Sequence, residues 1–177
     1  MDSRHVYSPS SYLHVTVKEL GWLGKNISKD NLPFVLKVIK GVAREQSSFD
    51  LSLDGVGVFP SVIYGKVGKG AEEIRRMNTK LLQRLGERAI QSTYDGENMI
   101  PHVSIAHFSE QDVEPLLGKA RELHTLSIGK MNVQEIQVKR SYPHRLFAKP
   151  HGARSVAVNE PLAAFRLGAR SVQRGRR

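Results

Sequence analysis

The chain has 177 residues, of which 40% are hydrophobic and 25% charged, with a formal net charge of +10 at pH 7. These values are typical of a soluble globular protein that forms one domain or two small lobes. The absence of cysteine excludes disulfides, thiolate catalysis and cysteine-ligated metal sites. No apolar run is long enough to span a membrane, and the N-terminal sequence lacks the apolar segment of a signal peptide, so we expect a cytoplasmic protein without a membrane partner.

The excess positive charge predicts a polyanionic partner such as RNA. Residues 166–177 contain five arginines and no acidic residue, so half of the excess lies in this segment. The rest lies on the body of the chain in two basic clusters, one on a predicted helix and one near the C-terminal end: Lys37, Lys40 and Arg44, then Lys139, Arg140, Arg145, Lys149 and Arg154. The alternative interpretation is that these clusters are solvated surface.

The first predicted element is a β-strand in the segment "YLHVTVKEL", residues 12–20. Branched and aromatic residues alternate there with polar ones, which is the pattern of a half-buried strand. Side chains alternate across a strand, so His14 and Thr16 share one face while Val15 and Val17 share the other.

Three predicted elements follow in chain order. The first is a helix capped by Ser28 or Asp30 that runs to about Glu45. Two alternating apolar segments over residues 49–67 predict a hairpin. Apolar residues at helical spacing in residues 71–89, with acidic residues first and basic residues later, predict a second amphipathic helix.

The segment "PHVSIAHF", residues 101–108, repeats the arrangement of the first strand. His102 and Ser104 share one face of this predicted strand. His107 lies five residues after His102, so in a regular strand it would face the other side.

The remaining elements complete a second unit that resembles the first. A capping box at Ser109 and Asp112 predicts a helix to about Glu122, two more strands follow in residues 123–142, and a last short strand is predicted at residues 155–158. The order is strand, helix, hairpin, helix, strand, helix, hairpin, and each unit begins with a histidine strand. This repetition predicts an α+β fold of two similar lobes that face each other.

Residues 1–159 are predicted to form this single two-lobed domain, and residues 160–177 a basic C-terminal tail. Apolar residues such as Leu162 and Phe165 have the spacing of a weak amphipathic helix. The alternative is a disordered segment, and no function is assigned to it.

Two histidines and two hydroxyls on matched strands suit the cleavage of a phosphodiester. One imidazole takes a proton from an attacking water while the other gives a proton to the leaving oxygen. The hydroxyls of Thr16 and Ser104 would hold the non-bridging oxygens, and neither a metal nor a cofactor is required. Two alternatives stay open: structural histidines on a polar sheet face, or a metal site with His14 and His102 as ligands.

The segments "HVTVKELG" and "HVSIAHF", with "FDLSLDGVGVFP" between them, resemble the 2H phosphoesterase superfamily. The resemblance is to its LigT-like branch of RNA 2′,3′-cyclic phosphodiesterases and 2′-5′ RNA ligases, and it covers roughly residues 12–158. It implies a bilobal, pseudo-symmetric pair of antiparallel sheets that line a central cleft, with helices outside. It also implies the opening of 2′,3′-cyclic phosphate ends of RNA or nucleotides to 2′-phosphomonoesters, with reverse 2′-5′ ligation under favourable conditions.

The resemblance carries over to four residues. His14 and Thr16 match the first family motif, and His102 and Ser104 match the second. It implies that His102 is the general base, which activates water, and that His14 is the general acid, which protonates the leaving 3′ oxygen.

The chain departs from the family pattern at two positions. Glu19 stands where an aromatic residue is frequent, and His107 stands where an arginine is frequent. His107 would still contact the phosphate as an imidazolium at mildly acidic pH. The other candidate substrate contacts are aromatic residues, for which core packing is the alternative, and residues at the end of a predicted strand: Trp22, Phe59, Tyr64, Arg140 and Ser141.

Two other functions fit the sequence. The basic body and the two departures are consistent with an RNA-binding module that has little turnover. The same residues are consistent with a phosphodiesterase for another small nucleotide ester, such as a 2′-5′ oligoadenylate or a cyclic ADP-ribose phosphate. The expected partner is RNA or a nucleotide with a 2′,3′-cyclic phosphate, and we expect a monomer.

Overall fold

The computed structural model describes residues 6–8, 10–108, 113–143 and 157–169. In these residues the chain forms seven strands and three α-helices: β1 (Val6–Tyr7), α1 (Leu32–Glu45), β2 (Phe49–Phe59), β3 (Val62–Val67), α2 (Ala71–Leu85), β4 (His102–His107), α3 (Glu114–Glu122), β5 (Ser127–Val133), β6 (Glu135–Pro143) and β7 (Ala157–Arg166). The two long helices, the β2–β3 hairpin, β4 and α3 confirm the sequence predictions. The predicted capping box at Ser109 and Asp112 lies outside the described residues.

The strands form two antiparallel sheets. In the larger sheet the neighbours are β1, β4, β3, β2 and β5, in that order, and the smaller sheet contains β6 and β7. The predicted α+β class with antiparallel sheets is confirmed. None of the helices in the described residues is both long and apolar enough to cross a membrane.

The main core lies where α1 and α2 pack against β2. Residues spaced three or four apart along each helix are buried there together with the start of the strand: Val35, Ile39, Val42, Ile74, Met77, Leu81, Leu85, Phe49 and Leu51. Burying each such side chain contributes about 1.5–3 kcal/mol. This core supports the two strands of the hairpin and, next to them, β4.

The segment predicted as a strand over residues 12–20 is not continuous. Ser10–Tyr12 forms a 3-10 turn, and the segment pairs with β4 through an isolated antiparallel bridge between Val15 and Val103. This bridge is shifted in register relative to the pairing of Val6 with His107 in β1 and β4. The 3-10 turn lies between the two pairings, so the chain does not pair continuously with β4 and no full ladder forms.

The predicted second hairpin is also wrong, although both of its strands exist. β5 pairs with β2 and β6 pairs with β7. Only Gln134 separates β5 from β6, whereas the shortest common hairpin loops have two residues. The chain therefore passes from one sheet to the other at this point.

The predicted C-terminal tail begins inside a strand. β7 spans Ala157–Arg166, so residues 160–166 are neither a helix nor a disordered tail. Ala163 and Phe165 pack against the main core while Leu162 is exposed, which is the period-two pattern of a strand. Residues 170–177 lie outside the described residues.

Candidate active site

His102 and Ser104 lie on one face of β4, and the β3 residues that pair with them lie on the same face of the sheet. Lys66 pairs with His102, and Tyr64 pairs with Ser104, and residues paired across a ladder share a face. The rings of Tyr64 and His102 contact each other, with centroids 5.4 Å apart. We call this surface, which carries Tyr64, Lys66, His102 and Ser104, the histidine face.

His107 also lies on the histidine face. It pairs with Val62, which is on the same side of β3 as Tyr64. A register shift in this ladder leaves Ile105 as an extra residue in β4, and such a β-bulge reverses the alternation beyond it. The prediction that His107 faces the other side is wrong for this reason.

The first motif reaches the histidine face through the bridge to Val103. The antiparallel register of this bridge puts His14 opposite Ser104 and Thr16 opposite His102, so each histidine lies across from the hydroxyl of the other motif. Diagonal neighbours in such a pair are about 7–8 Å apart. The structure therefore brings together the four residues predicted from the two motifs.

Three adjacent segments thus contribute two rows of three side chains. The rows are His14, Ser104 and Tyr64, then Thr16, His102 and Lys66. Opposed side chains in antiparallel pairs have Cβ atoms about 4.5–5.5 Å apart. A group as small as a phosphate can contact members of both rows at once.

Both histidines are oriented in the same way. The Nδ1 atom of His14 lies 2.7 Å from the carbonyl oxygen of Tyr12, and the Nδ1 atom of His102 lies 2.7 Å from the carbonyl oxygen of Ile100. A carbonyl oxygen can only accept a hydrogen bond, so each Nδ1 carries a proton and donates it. The Nε2 atom of each ring is therefore the nitrogen that is available to exchange a proton with a substrate.

Aromatic rings contact both imidazoles edge-on. Phe59 and Tyr64 are stacked with centroids 4.1 Å apart, and they meet His102 edge-on at 5.0 and 5.4 Å. Tyr12 meets His14 edge-on at 5.1 Å. Edge-to-face contacts contribute about 0.5–1.5 kcal/mol each, and here they restrict the rotation of both rings.

Gly57 provides the space in which the Tyr64 ring lies. The two residues pair across β2 and β3, and a Cβ atom at Gly57 would overlap the outer end of the Tyr64 ring. Glycine alone lets the ring lie flat across β2 and stack on Phe59.

A buried polar network fastens the first motif to the segment that precedes the second. The Nζ atom of Lys18 donates to Oδ2 of Asp95 at 2.6 Å and to the carbonyl oxygen of Ile90 at 2.5 Å. Asn78 on α2 donates through Nδ2 to the carbonyl oxygen of Val17 at 2.8 Å and to Oδ1 of Asp95 at 2.9 Å. The network joins the first motif, and the segment that precedes the second motif, to the same helix.

The charge of Asp95 is maintained inside this network. Burial raises the pKa of its carboxyl group, but hydrogen bonds from Lys18, Asn78 and the Ser92 amide outweigh burial and hold the pKa below its ordinary value. Asp95 therefore remains a carboxylate that pairs with Lys18 at neutral pH.

The other predicted substrate contacts do not lie on β3 or β4. They are Trp22, Arg140 and Ser141. Trp22 is 68% exposed, and in the described residues its ring contacts neither histidine. Arg140 lies on β6 opposite Glu160, and Ser141 lies beside it opposite Asn159, so both belong to the smaller sheet and not to the histidine face. Glu19 is exposed.

Sequence reasoning missed three features of this site: Lys66, Gly57 and the Lys18 network. A signal for Lys66 was available, because it lies two residues after Tyr64 in a predicted strand. Among the residues that the structure describes, no three histidine or carboxylate side chains are grouped as metal ligands would be.

Comparison with known proteins decides the family. The profile of the 2′-5′ RNA ligase superfamily matches residues 4–143. The chain belongs to this superfamily. The chain is 26% identical over 131 residues to an RNA 2′,3′-cyclic phosphodiesterase of Methanothermobacter thermautotrophicus, a match that spans 73% of this chain and 69% of that protein. It is 25% identical over 129 residues to the Aquifex aeolicus protein of the same name, a match that spans 70% of this chain and 66% of that protein.

Solved structures show the same fold. The protein TT0787 of Thermus thermophilus superposes with a TM-score of 0.68 at 21% identity, over 95% of this chain and 85% of that chain. LigT of E. coli complexed with 3′-AMP superposes with a TM-score of 0.64 at 16% identity, over 93% of this chain and 82% of that chain. The LigT-like resemblance found in the two histidine motifs is confirmed.

Proposed function

We propose that the protein is a metal-independent phosphodiesterase that opens the 2′,3′-cyclic phosphate end of an RNA or nucleotide to a 2′-phosphomonoester. The observation that carries the proposal is the pair of imidazoles on one sheet face, each with Nδ1 bonded to a carbonyl oxygen. The superfamily, and two relatives named RNA 2′,3′-cyclic phosphodiesterase, support this substrate class.

In the proposed reaction His102 is the general base and His14 the general acid. Nε2 of His102 takes a proton from water as the water oxygen attacks phosphorus. The bond between phosphorus and O3′ breaks, and Nε2–H of His14 gives its proton to O3′. Phosphorus stays attached to O2′, so the product has a 2′-phosphate and a 3′-hydroxyl. Each proton transfer contributes on the order of 10²–10⁴-fold.

The hydroxyls of Thr16 and Ser104 hold the phosphate between the two rings. Each hydroxyl lies across from the histidine of the other motif, so hydrogen bonds to the two non-bridging oxygens place phosphorus between the two Nε2 atoms. Ser104 lies on β4 and Thr16 lies next to the bridge that joins its segment to β4, so the backbone positions both donors before the substrate binds, which makes such hydrogen bonds effective in the transition state.

Further contacts extend the site along β3 and β4. The stacked rings of Phe59 and Tyr64 border His102, and a base or ribose next to the phosphate packs against them. His107 follows Ser104 along the same face, and its imidazole is a further contact for the phosphate.

The same groups perform 2′-5′ ligation when the nucleophile changes. If the 5′-hydroxyl of an RNA takes the place of water, its proton goes to His102 and O3′ receives a proton from His14, and the two RNAs are joined through a 2′-5′ phosphodiester. Strain in the cyclic ester drives ring opening in both cases, and water is the more abundant nucleophile. Hydrolysis is therefore the main direction.

A second candidate function is an RNA-binding module with little turnover. The observation that favours it is a row of exposed basic side chains on α1, Lys37, Lys40 and Arg44. Binding through such residues would weaken as salt rises, and it would be the same with or without the histidines.

The test is hydrolysis of a short RNA that ends in a 2′,3′-cyclic phosphate, with EDTA present and 2′- and 3′-phosphate products resolved. We expect His14→Ala and His102→Ala each to lose at least about a hundredfold in rate with an unchanged melting temperature. His124→Ala is the matched control, because His124 is exposed and its Nδ1 also meets a carbonyl oxygen, that of Arg121 at 2.8 Å.

Several outcomes would contradict the proposal. Near wild-type activity in either variant of the pair would exclude the two-histidine mechanism, and loss of activity in EDTA would exclude metal independence. If the wild type binds RNA in a salt-dependent way but does not open the ring, the RNA-binding module is the better account. Assaying the same variants on 2′-5′ oligoadenylate and cyclic ADP-ribose phosphate tests the other nucleotide esters.

A further inference from the structure

We infer that Lys66 is a substrate-binding residue whose ammonium group contacts the reacting phosphate. This inference rests on the proposed function and adds an ammonium group to a site otherwise described by imidazoles and hydroxyls. The geometry of β3 and β4 carries it.

Lys66 is the direct neighbour of His102 on the histidine face. The two residues pair across the ladder, so their Cβ atoms are about 4.5–5.5 Å apart. Thr16 lies on the other side of His102, which puts the imidazole between a hydroxyl and an ammonium group. The four-carbon stem of lysine is flexible, so its charge can move over the imidazole to a phosphate bound there.

The surroundings of Gly65 show independently on which face Lys66 lies. A Cβ atom at Gly65 would meet the side chains of Ile128, Ile105 and Leu53 at 3.6–4.0 Å. The face that Gly65 presents is therefore apolar. Because adjacent strand residues point to opposite faces, Lys66 points away from this apolar surface and onto the histidine face.

In the described residues, Lys66 lacks the carboxylate partner that several other lysines have. Lys18 pairs with Asp95, Lys69 with Asp50 and Lys80 with Glu45. In the part of the chain that the structure describes, Lys66 forms no ion pair or hydrogen bond although it is only partly exposed. A lysine that is partly buried and has no carboxylate partner can bind an anionic ligand through its ammonium group.

In the proposed reaction, the ammonium group of Lys66 stabilises negative charge on the phosphate. The cyclic phosphodiester carries one negative charge, and attack by water adds negative charge to the non-bridging oxygens in the transition state. The hydroxyls of Thr16 and Ser104 are neutral donors. A cation that reaches the same oxygens stabilises the added charge, and groups of this kind contribute most where water is excluded.

The experiment compares Lys66→Met, Lys66→Arg and the wild type on two substrates, 2′,3′-cyclic AMP and a short RNA with a 2′,3′-cyclic end. We expect Lys66→Met to lower kcat/KM at least about tenfold on both substrates, since removal of one such donor costs about 10²–10³ in a fully enclosed site. Lys66→Arg keeps the charge and should recover most of the loss. Lys119→Met, at an exposed position on α3, is the matched control and should leave turnover of 2′,3′-cyclic AMP unchanged.

A second readout is independent of turnover. Affinity for inorganic phosphate, measured by calorimetry, should fall in Lys66→Met and be retained in Lys66→Arg and Lys119→Met. A purely structural role for Lys66 would change the melting temperature without this pattern.

Two results would overturn the inference. Wild-type kcat/KM in Lys66→Met on both substrates would show that the ammonium group does not act on the phosphate. A loss on the RNA alone would place the contact at an internal phosphodiester. If the wild type opened neither substrate, the proposed function would fail, and the phosphate affinities would still decide whether Lys66 binds the anion.

Discussion

Replacing Lys18 with methionine tests whether the buried network holds the first motif in place. The change preserves the length of the side chain but removes an ammonium group that contacts Asp95 at 2.6 Å and the carbonyl oxygen of Ile90 at 2.5 Å. The Lys18 and Asp95 side chains are only 2% and 12% exposed, so little water is available to replace the lost contact. Removing one partner of a buried ion pair costs about 3–5 kcal/mol.

The expected loss lies at the lower end of this range. Asp95 keeps hydrogen bonds from Nδ2 of Asn78 and from the Ser92 amide, both at 2.9 Å. We therefore expect the free energy of unfolding to fall by about 3 kcal/mol. In a chain of this size, such a loss lowers the melting temperature by about 6–12 °C.

Urea and thermal unfolding of Lys18→Met measure this difference, and Lys69→Met is the control. Lys69 pairs with Asp50 at 2.9 Å, but these side chains are 66% and 42% exposed, so its loss should cost only about 0–1 kcal/mol. If the two variants are equally stable, burial does not strengthen the Lys18 pair and the reasoning is wrong.

Two further predictions concern Tyr64 and Asp95. Gly57→Ala should push the Tyr64 ring away from His102 and lower kcat by about tenfold or more, measured on the cyclic phosphate, whereas Gly129→Ala, where a Cβ atom meets nothing within 4 Å, should not. Because its pKa lies below the ordinary 3.8, the Asp95 carboxylate stabilises the fold above that pH, and this stabilisation is lost as the pH falls through the lower folded-state pKa. Asp95→Asn should therefore be less stable than the wild type at pH 7 in urea unfolding, and a difference that does not shrink towards about pH 3 would contradict this.

Local patterns in the sequence predicted the helices and the first hairpin. In α2, Ile74, Met77, Leu81 and Leu85 repeat at helical spacing and are all buried. The β2–β3 hairpin follows from alternation on both sides of a turn. These elements are determined by residues that are close in the sequence. Their positions can therefore be predicted from the amino-acid sequence alone.

The errors involve pairing between distant segments. The alternation of apolar and polar residues predicted correctly that β4 is a strand. It gave no sign of the extra residue Ile105, which places His107 on the histidine face. Register depends on which partner strand is present. For the same reason the sequence did not reveal that β5 joins β2 while β6 joins β7.

The candidate site was predicted in part. The two motifs identified His14, Thr16, His102 and Ser104 because hydroxyl and imidazole recur at the same spacing in both units. Lys66 belongs to neither motif and enters the site only through its pairing with His102. Residues that act through cross-strand proximity have no pattern of their own along the chain.

The bridge between Val15 and Val103 has a consequence for how a ligand is oriented. Around it, His14 faces Ser104 and Thr16 faces His102. A twofold axis between identical subunits produces the same reciprocal pairing, which is called isologous. Here both halves of the pairing belong to one polypeptide. These four side chains alone would accept a symmetric diester in either of two orientations. Among the described strands, β3 flanks one side of this pseudo-dyad with Tyr64 and Lys66. In the proposed reaction, the polarity of binding, and with it which oxygen leaves, is therefore set by residues outside the two motifs.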